Sequence, residues 1–531
     1  MTTVANSVAR TLTEAGIDTV FGLPGGENVA VLDALRGHGI RFILVHNESS
    51  AVYMAATNAR LSGRPGVCLT TLGPGVTNAM AGIGHAYLDR APVLVITAMM
   101  DDDLRPHHTH QYLDQQQLVR GSTKGSFALH PENVESAVRS ALALTMHDRP
   151  GPVHLQLSKE VAQQAVKEAN QAEATHAPTI DLTALPAAAA ILADARHPII
   201  VAGLGLEPQK PYVELNALAE ALQAPVICTP KAKGALPADH PLAAGVLGLT
   251  RTDPVYELLE EADCILAVGF DVVELVKPWD EQASLIWIAP WRNEDPTLRA
   301  TAELVGPLKE LLSGLKEVAP QAAAGWGADR VAAFRQKLAA RPLPDPAPGH
   351  MLPQTLLTAL RESLPADTAV TTDVGSHKIL AALTWPDLIP NRYFLSNGLS
   401  CMGFGLPAAI AASLALGGQT TVCITGDGGL AMVMGELGLL STLKTPVIIV
   451  LMNDGALDLI RSAQRRAGYA TYATEFVNPD YSHIAAAYGL ATRRVSTPLE
   501  CRAAIHHALE TAQPMLIDAR IDPVSYPTTP A

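Results

Sequence analysis

Two carboxylates bracket one apolar run. Asp427 stands in Gly426-Asp427-Gly428-Gly429, and Asp454 closes the stretch PVIIVLMND. The residues TTVCIT lead into the glycine turn as a strand, and LAMVMGELGLLSTLK after it reads as one helix. A strand, a glycine turn and a helix N-terminus together present backbone N–H groups to phosphate. An aspartate on that turn could hold a divalent cation against a diphosphate, because Mg²⁺ takes one or two carboxylates together with phosphate and water oxygens. Asp454 sits where ligands of open α/β sheets gather, at the carboxyl end of the next strand. Both residues also read as ordinary turn and N-cap residues.

The elements that must position these groups repeat along the chain. Short apolar runs alternate with helical patterns: RFILVH, GVCLTTL and PVLVITAM; then PIIVAG, PVICT and CILAVG; then AVTTDVG, TTVCITGDG and PVIIVLMND. Apolar strands alternating with helices predict an α/β fold of doubly wound parallel sheets. A length of 531 residues is enough for about three domains. The Ala-, Glu- and Gln-rich stretch 168–180 and the proline-rich stretch 341–350 read as linkers. They divide the chain into domains 1–167, 181–340 and 351–531.

Composition narrows the function classes. A net charge of −14 argues against nucleic acid as a partner. No basic-then-apolar leader opens the chain and no run of about 20 apolar residues interrupts it, so neither a secretory signal nor a membrane span is expected. The 6 cysteines form no CxxC pair, which points to a reducing cytoplasm and away from a zinc or disulfide framework.

The chain resembles thiamine diphosphate enzymes of the acetolactate synthase and pyruvate decarboxylase branch. The resemblance runs nearly end to end through FGLPGG (21–26), LVHNESSAVYMAA (44–56), PGVCLTTLGPGVTNAMAGIGHAYLDRAPVLVIT (65–97), TDVGSHK (372–378), SCMGFGLPAAIAA (400–412), the GDG stretch and VNPDYSHIAAAYG (477–489). It implies a pyrimidine-binding first domain, a Rossmann-like middle domain and a diphosphate-binding third domain. It also implies a cofactor that acts as electron sink through a C2 carbanion. Glu48 matches the glutamate that hydrogen-bonds N1′ of the aminopyrimidine, although alone it reads as a dipole-favoured helix start. Met402 matches the apolar residue under the bend of the cofactor, where its other reading is core filler. The resemblance further assigns Pro24, Gly25, Pro74, Asn78, Ser376, His377, Ser400, Gly426, Gly428, Gly429 and Leu459 to cofactor contacts.

Several positions depart from the family. Where Asn-Asn is usual, this chain has Asn453-Asp454. The matched alignment makes Asp427, Asp454 and the Ala456 carbonyl the metal ligands; a one-residue slip selects Asn453 and Gly455 instead. Asp454 adds a negative charge beside a diphosphate, a cost the metal must offset. The synthases' tryptophan is replaced by Ala463, and their arginine-rich middle-domain segment reads GFDVVELVKPW (269–279). Both changes stand against strict acetolactate formation. Pyruvate decarboxylases carry an Asp after FGLPG, where Gly26 and then Glu27 stand here. The segment 103–114 offers His107, His108 and His110, with His110 and Gln111 matching a Phe-Gln pair of the synthases. Histidine suits proton transfer near neutral pH, so His108, His110 and Gln111 join Glu48 as candidate catalytic residues; a solvated loop is the other reading. Acetolactate synthases hold FAD in the middle domain. Gly203 and Gly205 fit a nucleotide loop only weakly, and Ala289-Pro290 replaces the ribose-catching acid, so FAD is not expected.

The expected protein is a cytoplasmic, Mg²⁺- and thiamine diphosphate-dependent decarboxylase or carboligase. It acts on a small-molecule 2-oxo acid or related acyl donor. It assembles as a homodimer or homotetramer with active sites at the subunit interface. Acetolactate synthase proper and a non-catalytic thiamine diphosphate-binding paralogue are the alternatives; the presence of Glu48 argues against the second.

Overall fold

A computed structural model describes residues 2–527 apart from 102, 105–106, 108, 168–179, 208, 251, 276–281 and 320–325. It contains three six-stranded sheets. The first comprises β1 (Thr19–Leu23), β2 (Arg41–Leu44), β3 (Gly66–Thr70), β4 (Val93–Met99), β5 (Ser126–Ala128) and β6 (Val153–Ser158), in the order β2-β1-β3-β4-β6-β5. The second comprises β7 (Pro198–Ala202), β8 (Val226–Cys228), β9 (Ala243–Val246), β10 (Cys264–Val268), β11 (Ser284–Ala289) and β12 (Ala302–Val305), in the order β12-β11-β10-β7-β8-β9. The third comprises β13 (Ala369–Thr372), β14 (Tyr393–Leu395), β15 (Thr421–Gly426), β16 (Val447–Asn453), β17 (Ala491–Val495) and β18 (Met515–Arg520), in the order β14-β13-β15-β16-β18-β17.

Every apolar run singled out above forms a strand. The first three become β2, β3 and β4, the middle three β7, β8 and β10, and the last three β13, β15 and β16. Their Val, Ile and Leu content follows from burial on both faces, as in β4 and β16, where every residue is buried. Neighbouring strands run parallel, for example Thr421 opposite Val447 through Gly426 opposite Met452.

The chain forms two compact units. The first holds residues 1–176, 398–419 and 431–445, and with them the first sheet. In it the helix Glu48–Ser62 packs on the helix Gly405–Ala415, which is buried along most of its length. The Phe404 ring lies 4.8 Å from His85 and 5.7 Å from Tyr53, centroid to centroid, at the start of that contact. The second unit holds residues 177–397, 420–430 and 446–531, with the second and third sheets. A buried cation, Lys233, ties its middle-domain loop to the third-sheet region. Its Nζ donates to the carbonyls of Trp385 at 2.8 Å and Ala382 at 3.0 Å, 3.3 Å from Asp387. The stretch 341–350 is exposed and carries neither helix nor strand; most of 168–180 lies outside the described residues.

One expectation fails. The single helix read after the GDG turn is broken into Asp427–Met432, a 3-10 turn at Met434–Glu436 and the helix Leu437–Leu443. Val433 leaves helical geometry at φ −126°, ψ 22°. The break turns the buried Glu436 carboxylate onto the backbone N–H groups of His46 and Asn47, each at 3.2 Å, where it offsets the burial of the charge. No described helix is long and apolar enough to cross a membrane. Of the six cysteines only Cys401 is not buried, and its Sγ lies 3.5 Å from the Ala81 carbonyl. Burial pushes the thiols of Cys68, Cys264 and Cys501 up to about 12 and that of Cys228 to about 11.

Candidate active site

The second unit brings the residues expected on the diphosphate side to the carboxyl ends of β13, β15 and β16. Asp427 begins the helix after β15. Its Oδ1 accepts the Gly428 N–H at 2.8 Å. Its Oδ2 accepts the Gly455 N–H at 2.7 Å and the Asn478 amide at 2.6 Å, and Tyr481 Oη donates to its carbonyl at 3.0 Å. A carboxylate oxygen has two lone-pair directions, so Oδ1 keeps one for a cation. Asp454 is nearly buried, and its Oδ1 receives only the Ala456 N–H, at 3.3 Å. Burial, then the neighbouring charges of Asp427 and Asp458, push its carboxyl up to about 7. A divalent cation would remove that repulsion.

Asn453 faces elsewhere. Its Nδ2 donates to the buried Asp518 at 2.8 Å, and its Oδ1 accepts the Asn478 amide at 2.9 Å. Its amide is thus engaged on both sides, whereas Asp454 has capacity left. Ala456 is buried beside it.

Ser376 and His377 open the nine-residue helix Ser376–Thr384 behind Gly375, which adopts φ +151°. A side chain at Gly375 would also strike the His377 ring, its Cβ 2.9 Å from the ring atoms. Burial, and then Lys378, push the His377 imidazole down to about 4, so it is neutral at pH 7. Its Nε2 is buried with no partner, and a Cβ added to Gly426 would sit 3.1 Å from the same ring. The ring already bonds the Asp373 backbone, so the orphaned Nε2 at the GDG turn can donate to a diphosphate oxygen only as the imidazolium, the form a nearby anion favours. Ser376 Oγ donates to Asp458 at 2.9 Å. Leu459 is partly buried against the core under the third sheet.

The first unit holds the residues expected on the pyrimidine side. Glu48 is the first residue of its helix, capped by Asn47, whose Oδ1 accepts the Ser49 N–H at 2.9 Å. The Glu48 side chain is buried, and its Oε2 accepts the Asn78 amide at 3.1 Å. Asn78 lies on the helix Pro74–Leu88, which Pro74 starts behind Gly73 at φ +54°; the Ser49 hydroxyl bonds the Asn78 carbonyl. Pro24 and Gly25 precede a 3-10 turn in which the Gly25 N–H donates to Asn28 at 3.0 Å. Ser400 takes the left-handed conformation (φ +54°) and Gly403 follows at φ +86°. Met402 between them is half-buried, which sets it apart from core filler. The Gly398 N–H ahead of this loop donates to Asp89 at 3.1 Å, and Asp89 holds His85 Nδ1 at 2.6 Å.

The histidine segment is less well gathered. His108 lies outside the described residues, and His110 is exposed. The Gln111 carbonyl lies against Gly73, so close that a Cβ there would collide with it. Sequence reasoning missed Asn478, Glu436, Asp458 and Arg461. Of these only Asn478 carried a signal, as part of VNPDYSHIAAAYG.

Comparison with known proteins assigns the family. Residues 2–118 match the N-terminal TPP binding domain of thiamine pyrophosphate enzymes, 185–315 their central domain and 373–519 their C-terminal TPP binding domain. The chain is 31% identical to the acetolactate synthase isozyme 3 large subunit of Escherichia coli, over 98% of this chain and 94% of that one. It is 30% identical to "Probable acetolactate synthase large subunit" of Methanocaldococcus jannaschii, over 98% and 92%. It is 33% identical to "Probable 2-ketoarginine decarboxylase AruI" of Pseudomonas aeruginosa, over 93% and 89%. With three α/β domains, a GDG turn at its sheet edge and relatives aligned end to end, this chain belongs to the thiamine diphosphate enzyme superfamily, in its acetolactate synthase-like branch, and is a lyase or transferase dependent on that cofactor.

Proposed function

We propose that the protein is a Mg²⁺-dependent decarboxylase or carboligase of a 2-oxo acid or related acyl donor. Thiamine diphosphate, when bound, supplies the nucleophilic carbon and the electron sink for cleaving the bond beside the carbonyl. Asp427, Asp454 and the Ala456 carbonyl would hold Mg²⁺. His377, Ser376 and the N–H groups of the Gly426–Gly429 turn would hold the diphosphate. Glu48 would hold a proton at N1′ of the pyrimidine, positioned by its bond from Asn78. Backbone groups of Ser400 and Met402 would orient that ring, with the Met402 side chain pressing it into its bend. His110 and Gln111, with His108, would serve the substrate side.

The observation that carries this reading is the buried pair Asp427 and Asp454 at adjacent strand ends, beside the partnerless Nε2 of His377. Ala463 supports an acceptor other than that of the synthases, while the synthase relatives support acetolactate synthase proper as the second reading. FAD is left out because the Leu204 N–H in the Gly203–Gly205 loop is already bonded to Glu274, at 2.9 Å. We place the protein in the cytoplasm, as a homodimer or homotetramer whose sites draw on two subunits, and take 1–167, 181–340 and 351–531 as its domains. The test is a panel of small 2-oxo acids with CO₂ and product detection, with and without Mg²⁺ and cofactor. No CO₂ from any acid, together with no exchange of the cofactor's C2 proton, would leave the non-catalytic paralogue as the better reading.

A further inference from the structure

Three aspartates crowd the diphosphate side of the second unit: Asp427, Asp454 and Asp458, all nearly buried. Arg461 is paired with two of them. Arg461 lies one turn after Asp458 on the helix Asp458–Arg466 and is only 10% exposed at its side chain. Its Nη2 is 3.0 Å from Asp458 Oδ1 and 4.0 Å from Asp454 Oδ2; the other carboxylate near it, Glu475, is 3.9 Å from Nη1 and largely exposed. The far oxygen of Asp458 accepts the Ser376 hydroxyl at 2.9 Å. One guanidinium therefore joins a proposed metal ligand to a proposed diphosphate contact. Its Nε is buried without a partner; its Nη2 hydrogen-bonds Asp458, and the approach to Asp454 at 4.0 Å is electrostatic.

We infer that Arg461 is the built-in counter-charge that lets Asp454 serve as a metal ligand beside a diphosphate. The inference rests on the reading of Asp454 as a ligand. Three carboxylates and a trianionic diphosphate carry far more negative charge than one divalent cation offsets. At small separations in a poorly solvated site such an imbalance is weakly screened. Arg461 supplies one positive charge against that excess, 3.0 Å from Asp458 and 4.0 Å from Asp454. It is a positioning residue: it acts on the cofactor's anchor through Asp454 and Asp458.

The test is a double-mutant cycle read by calorimetric binding of thiamine diphosphate at saturating Mg²⁺, alongside thermal unfolding. Arg461→Gln should weaken binding by about tenfold or more, because truncating one partner of a buried pair leaves the other charge uncompensated. Asp454→Asn keeps an oxygen ligand and removes one charge. In the Arg461→Gln background it should bring binding back to within about threefold of the parent, a coupling expected of residues in contact. Arg461→Lys, which keeps the charge and loses the fork, should fall between. A double variant as weak as Arg461→Gln alone overturns the inference. So does an Arg461→Gln chain that fails to fold and is not restored by Asp454→Asn, since the loss is then one of packing. Asp454→Ala separates the two claims. If it leaves the Mg²⁺ dependence of binding unchanged, the ligand reading is wrong; if it abolishes that dependence while the cycle shows no coupling, only the counter-charge is wrong.

Discussion

The first and third sheets share one wiring and carry different side chains at equivalent places. Renumbered from their own first strands, β2-β1-β3-β4-β6-β5 and β14-β13-β15-β16-β18-β17 are the same order. The loop after β3 and the loop after β15 are therefore equivalent, and both are glycine turns entering a helix. One reads Gly73-Pro74-Gly75 with no acid, the other Gly426-Asp427-Gly428. The segments after β2 and β14 are equivalent as well, and they carry Glu48 and Met402. The backbone arrangement thus recurs, and what differs between equivalent places is the side chain each presents, Asp427 against none and Glu48 against Met402. The middle sheet, in the order β12-β11-β10-β7-β8-β9, lies outside this equivalence.

The largest effect should come from breaking the acidic member of the equivalent turns. Asp427→Ala should abolish cofactor retention with the fold intact, checked by calorimetry and circular dichroism; unchanged affinity would mean the site is misassigned. Next is the acid on the other sheet. Glu48→Gln should keep cofactor affinity within about tenfold, since one hydrogen bond is worth about 1 kcal/mol net. Turnover should fall by about 10²–10⁴, as for a positioned acid or base. Exchange of the C2 proton with deuterium should slow in parallel, and exchange at the parent rate would reduce Glu48 to a helix-start residue.

A smaller and pH-dependent effect separates the two acids. Burial and the charges of Asp427 and Asp458 push the Asp454 carboxyl up to about 7, above its ordinary value of 3.8. The fold therefore favours its protonated form, and its unfavourable contribution grows as pH rises from about 4 through 7. Mg²⁺ must displace that proton, so Mg²⁺ affinity should rise with pH up to about 7 and then level off. Calorimetry in buffers of different ionisation enthalpy should show proton release that Asp454→Asn removes. The smallest expected effect is on Glu436→Gln, which keeps one acceptor oxygen and places an amide against the N–H groups of His46 and Asn47. Stability should drop by about 1–3 kcal/mol, the usual cost of a mismatched buried polar group, read as a lower denaturant midpoint.

What was legible in the sequence follows the range of the forces. Strands buried on both faces announce themselves as Val- and Ile-rich runs, and the GDG turn stands out because glycine and aspartate are adjacent. Glu436 could not be read. Its partners are His46 and Asn47, hundreds of residues earlier, and Gly435 beside it does not by itself end a helix. Arg461 carried no signal in the sequence; its meaning comes from the fold, which sets Asp454 4.0 Å from it. The choice between Asn453 and Asp454 stayed open in the sequence because both can bind a cation. The third-sheet neighbour Asp518, a residue of no evident chemistry in the linear chain, occupies the Asn453 amide.

The thiols divide as sharply as the acids. Five cysteines are sealed in the interior, where a thiolate is hard to form, and Cys401 alone is reachable, between Ser400 and Met402. A maleimide dye added to the folded native protein would therefore attach at one place, on the loop proposed to hold the pyrimidine ring. The chain carries its own single-site optical reporter, and cofactor entry can be followed in real time with no cysteine engineered in or out.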